Sequence, residues 1–246
     1  MAHEHREARL SSPERADAGV GVKRTLAEDL ILLLFQPRSG TIAGEGALFD
    51  VLGGAALADL GLGGHVRTGT GRLGGLTVEA VAGNPPSDHL LRAIWAYLAD
   101  KPRGVQTVLA ATGPALCEPL LDRLVERGEL RRRAGEPHGS IGTPVIEPGD
   151  SGRRRTLLGD IRTVLVDGVE PTPRTAALAA LLYGSGALPQ FEPDIPWTSP
   201  VIARAEELKG GTWRAGAAVK AAARTDTSNI VSNAIAAAGL AGPGSG

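Results

Sequence analysis

Residues 25–40, TLAEDLILLLFQPRSG, constrain the fold more than any other stretch: six consecutive large apolar side chains, Leu30 to Phe35, stand between an acidic pair and a Pro-Arg-Ser-Gly turn. Thr25 and Glu28 have capping-box spacing, in which a hydroxyl and a carboxylate each satisfy a free backbone N–H at a helix start. The spacing predicts a helix that opens at Thr25 and ends before Pro37 and Gly40. A run apolar at every position covers every face of that helix, so protein must surround it on all sides. Six residues fall far short of the roughly 18 needed to cross a bilayer, so the run reads as core.

No other stretch approaches that length, and MAHEHREARLSSPERADAGVGVKR offers no apolar segment that could act as a signal peptide. The expectation is a soluble or peripheral protein. At 42% apolar and 22% charged residues the chain has ordinary globular composition. A lone cysteine, Cys117, excludes an intramolecular disulfide framework and a Cys-based zinc cluster, which points to a reducing, cytosolic setting. Its neighbours Leu116, Glu118 and Pro119 provide no activating partner, so it reads as a small buried hydrophobe. The formal charge of -1 gives the whole molecule no pull on polyanions, and any such binding must come from a local patch. Arginine outnumbers lysine 22 to 4, and a guanidinium is the better phosphate ligand.

Along the chain, residues 1–23 read as a disordered tail whose His3 and His5 are solvated side chains rather than metal ligands. A second helix is expected over about 46–62, with Gly53 and Gly54 permitting close contact, and strands near 64–67 and 73–82. Gly69-Thr-Gly71-Arg-Leu-Gly74 matches the dinucleotide pattern by accident, because a strand rather than a helix follows it. From residue 87 the chain turns helical, through SDHLLRAIWAYLAD, VQTVLAAT and PALCEPLLDRLVERG. ELRRRAG and TPVIEP read as a hairpin, 153–167 as a helix, and Thr172-Pro173 as the N-cap and first residue of another. Two more helices, about 199–209 and 212–237, precede a flexible end at 239–246. With no Pro/Ser-rich linker, residues 24–238 read as one mainly α domain with a small β component that includes a protruding β-hairpin.

Enzyme motifs are missing: the sequence has no P-loop, GxSxG or HExxH, and no cofactor, metal or catalytic residue is expected. The sharper feature is a pair of arginine triplets, Arg131-Arg132-Arg133 and Arg153-Arg154-Arg155, which flank the hairpin so that folding it brings them near one another. Guanidinium forks bind phosphate in pairs, and the second triplet opens a helix, where free N–H groups favour anions. From Gly113 to Arg155, however, eight arginines face seven acidic residues, and a plain solvated basic face accounts for the pattern equally well. Three readings follow. A winged-helix DNA reader would use EPLLDRLVERG and the hairpin, but Glu118, Asp122 and Glu126 stripe that helix with negative charge. Anionic lipid headgroups could instead be held by a compact phosphate site, or the chain could be a protein-interaction scaffold.

Taken in order, TLAEDLILLLFQPRSG, LADLGLGGHV, SDHLLRAIW, LVERGEL with its hairpin, and LVDGVEPTPRTAALAALLYGSG resemble the Golgi phosphoprotein 3 family and its bacterial, especially actinobacterial, relatives. The resemblance covers nearly all of the ordered chain. It implies a mostly helical single domain whose hairpin takes part in self-association, and a peripheral membrane adaptor that is not an enzyme. In eukaryotic relatives that adaptor recognises phosphatidylinositol 4-phosphate on the cytosolic face of the Golgi and helps to retain glycosyltransferases. A bacterial member would meet the cell membrane instead. The family's lipid pocket uses a tryptophan and an arginine after the first helix. Here TIAGEGALFDVLGG has no tryptophan and Gly53 stands at the arginine position, while Pro114 and Cys117 replace a further arginine pair. The replacement candidates are Arg38, Arg131, Arg132, Arg133, Arg153, Arg154 and Arg155. Arg38 reads first as an ordinary exposed turn residue. Phe191 and Trp197 in GALPQFEPDIPWTSP could dip into a membrane interface or pack their proline-rich loop onto the domain.

Overall fold

The capping box forms as the spacing predicts. In the computed structural model, which describes residues 23–71, 75–133 and 145–210, Thr25 Oγ1 accepts from the Glu28 amide at 3.1 Å and Glu28 Oε2 accepts from the Thr25 amide at 2.7 Å. The helix it starts, α1 (Leu26–Leu34), has all nine residues buried. Four other helices enclose it: α2 (Leu48–Leu62), α5 (Cys117–Glu126), α6 (Arg153–Leu165) and α7 (Pro173–Gly184). The uniformly apolar run thus forms the centre of the core, each fully buried leucine contributing about 2 kcal/mol of apolar transfer free energy.

The other helices are α3 (His89–Ala99), α4 (Val105–Thr112) and α8 (Ser199–Gly210), the last packed along α7. α7 starts where Thr172 and Pro173 place it, with Thr172 Oγ1 accepting from the Thr175 amide at 3.1 Å. Around the helices lie short antiparallel pairings. β1 (Phe35–Gln36) pairs with β2 (Thr41–Ile42) across the turn that carries Arg38. β3 (Val66–Thr70), β4 (Leu76–Ala80) and β5 (Arg103–Gly104) form a three-stranded sheet in that order, and β6 (Leu130–Arg133) with β7 (Val145–Pro148) forms the expected hairpin. The fold is mainly α with a minor β component.

Differences from the sequence reading are local. The strand expected at 64–67 starts at Val66, because Gly63 and Gly64 first turn the chain out of α2, Gly64 with φ of 73°. The one expected at 73–82 narrows to Leu76–Ala80. β1, β2 and β5 were not anticipated, since two-residue strands carry no alternation to read. The proline-rich segment before α8 contains a 3-10 turn, Leu188–Phe191. The tail at 1–22 with His3 and His5, Gly74 of the accidental glycine motif, the hairpin loop 134–144, the helix read over 212–237 and the end at 239–246 lie outside the described residues.

Candidate functional site

The hairpin follows α5 closely because Gly149 lets its base pinch shut. A Cβ on Gly149 would lie 1.9 Å from the Gly128 carbonyl oxygen, so only glycine allows this approach. The first arginine triplet lies on β6 and is matched by local carboxylates. Arg131 pairs with Asp150, Arg132 with Asp122 at 2.5 Å and Glu118 at 3.1 Å, and Arg133 with Glu147 at 2.8 Å. These pairs are solvent-exposed, so each holds its arginine only weakly. The topology of a helix followed by an arginine-bearing hairpin is present, but two of the acids striping α5 are the partners of Arg132.

The second triplet divides by role. Arg153 makes a bidentate bond to Asp29 of α1, its Nη2 lying 2.9 and 2.8 Å from Oδ1 and Oδ2. Arg154 donates to the carbonyls of Phe35 and Leu33 at 3.1 and 3.2 Å and stacks over the Phe191 ring. It supplies the positive charge that α1, with no basic residue in its last turn, lacks at its C-terminal end. Burial lowers the Arg154 pKa, against the opposing pull of Asp194. Arg155 is exposed, and its side chain makes no hydrogen bond or ion pair among the described residues; the same holds for Arg38 in the β1–β2 turn. That turn lies against the hairpin, for a Cβ on Gly40 would sit 3.0 Å from the Ile146 carbonyl oxygen.

Asp29 belongs to a buried ionic network that sequence reasoning missed. Arg174 bridges Asp29 at 2.9 Å and Asp59 of α2 at 3.0 Å. Arg127 meets Glu28 at 3.3 Å and Arg24 meets Glu129 at 2.7 Å. Four carboxylates, Glu28, Asp29, Asp59 and Glu129, thus face four guanidiniums, Arg24, Arg127, Arg153 and Arg174. One signal was available: a helix buried on every face buries its own Asp29, and a buried carboxylate needs a cation. Burial raises Asp59 to about 7, although Arg174 and the Leu26 amide stabilise its charge. At Asp88 of the α3 N-cap, burial also opposes the charge, but Arg123 at 2.7 Å and the helix amides outweigh it and the pKa falls.

Two cavities flank the network. One of about 490 Å³ lies between the end of α1, the hairpin base and α6, and includes Arg154 and Arg155 in its wall. The other, about 330 Å³, is lined by the N-cap residues of α1, α3 and α7 together with Asp59 and Arg174. Phe191 is buried at 4% exposure, so it packs its loop, whereas Trp197 beside Tyr183 keeps 40% exposure. Cys117 is half-buried, and its thiol pKa is raised by burial and by Glu118. Among the described residues, no helix is long and apolar enough to cross a membrane.

The profile of the Golgi phosphoprotein 3 (GPP34) family matches residues 26–225. The chain belongs to the Golgi phosphoprotein 3 family. No curated protein matches it. Gly53 and Gly113 stand where backbone packs closely. A Cβ on Gly53 would already lie 3.1 Å from Leu109 of α4, and one on Gly113 would lie 2.2 Å from the Phe49 carbonyl oxygen. Gly53 and Gly113 thereby let α2 approach α4 and the Gly113–Ala115 turn.

Proposed function

We propose that this protein is a non-enzymatic peripheral membrane adaptor that binds anionic lipid headgroups, phosphatidylinositol 4-phosphate by family resemblance. The observation that carries the reading is the family match over residues 26–225. Membership suggests an adaptor of the Golgi phosphoprotein 3 type, and the arrangement of arginines supports the headgroup contact. In this proposal Arg155 and Arg38, which have no partner among the described residues, contact phosphate directly. Arg131, Arg132 and Arg133 exchange weak surface pairs for lipid phosphates at the membrane. Arg153 and Arg154, fixed to α1, hold the α6 start in place. The same proposal takes 24–238 as one domain. It acts on a cytosolic membrane face, recruits membrane-protein clients and self-associates through the hairpin.

Vesicle flotation tests the reading. Protein should float with phosphatidylcholine vesicles containing phosphatidylinositol 4-phosphate, more weakly with other anionic lipids, and less as salt rises, because exposed charges are screened. Absence of flotation at low salt would sink it.

A further inference from the structure

The cavity of about 490 Å³ falls in the size range of small-molecule sites, about 300–1,000 Å³. One face of α6 lines it at helical spacing with Arg155, Leu158, Gly159 and Arg162, opposite Leu32 and Phe35 from the end of α1. Its charges do not cancel. Glu129 is held by Arg24 and Ser151, and Asp194 faces Arg154. That leaves Arg155 without a partner among the described residues and Arg162 in an exposed pair with Asp167 at 3.1 Å, which solvent screening makes easy to exchange. Between these arginines Gly159 leaves the wall open, since a Cβ there would find no atom within 4 Å. Arginines at i and i+7 stand about 10 Å apart along the helix, enough to bracket a ring with a phosphate at one end.

We propose that this cavity binds a phosphomonoester carried on a polyhydroxylated ring. Arg155 takes the phosphate, Arg162 bonds the ring hydroxyls, and the ring lies on Leu158. Arg154 is a positioning residue. The inference rests on the anionic-headgroup reading and deepens it, because the same chemistry belongs to an inositol phosphate on a lipid and to a free cyclitol or sugar phosphate.

The test pairs a soluble probe, inositol 1,4-bisphosphate followed by calorimetry, with flotation on vesicles containing phosphatidylinositol 4-phosphate. The variants are Arg155→Ser and Gly159→Leu; the latter fills the cavity without meeting another atom at its Cβ and improves helix propensity, so its melting temperature should not fall. Both should weaken the soluble probe about tenfold or more. Loss of probe binding in both variants, with no flotation by any protein, upholds the cavity and removes the lipid source. Wild-type flotation with a probe that does not bind, or that binds both variants as tightly as wild type, overturns the cavity while the adaptor reading stands.

Discussion

Asp29 shows how one side chain fixes several elements. It is 1% exposed within α1 and receives both Arg153 from α6 and Arg174 from α7. Removing it leaves Arg153 without its carboxylate and Arg174 with Asp59 alone, so Asp29→Ala should cost about 3 kcal/mol in urea unfolding. Asp59 gives the opposite pH behaviour from an ordinary paired carboxylate. Its folded pKa of about 7 exceeds its usual 3.8, so the folded state binds more protons between those values. Its contribution to stability is greatest below that window and falls as pH rises through it. Urea midpoints at about pH 5 and pH 8 should therefore separate less in Asp59→Asn than in the wild type. Asp88 runs the other way: its lowered pKa gives stability that is lost as pH falls through the folded value.

At the element scale, the capping box, the all-apolar α1 and the Thr172-Pro173 start of α7 were legible because each is encoded within a few neighbouring residues. The partners of the second triplet were not. Arg153 meets Asp29 from 124 positions away, and Arg154 reaches Phe35 from 119 positions away. Local spacing makes both look like free phosphate ligands, while tertiary packing commits them to α1. Arg154→Met keeps the aliphatic stem but removes the donors to the α1 carbonyls, and should destabilise by about 1–2 kcal/mol. The contact of α2 with the Gly113–Ala115 turn depends on bare backbone. Gly113→Ala puts a methyl group against the Phe49 carbonyl and should cost about 1–3 kcal/mol, read as a lower urea midpoint with unchanged slope.

At the scale of the whole molecule, family and fold were readable from five ordered fragments, whereas the binding site was readable only as a set of arginines. Folding sorts that set. Arg153 and Arg154 brace the core, Arg131 to Arg133 rest in exposed pairs, and Arg38 and Arg155 have no partner among the described residues. Gly159 and Arg162 drew no notice in the sequence, since a helical glycine and a lone arginine say nothing until α6 is seen to wall a cavity. The Arg38→Ser and Arg155→Ser double variant removes charges that no described residue pairs with and should keep the wild-type unfolding midpoint, which Arg153 variants would not. We propose that this fold brings a headgroup-binding surface to a membrane. Flotation of wild type and that double variant on phosphatidylinositol 4-phosphate vesicles tests it most directly. Wild type should float, and the double variant, folded and equally stable, should stay largely in solution; wild type left in solution would overturn the headgroup reading.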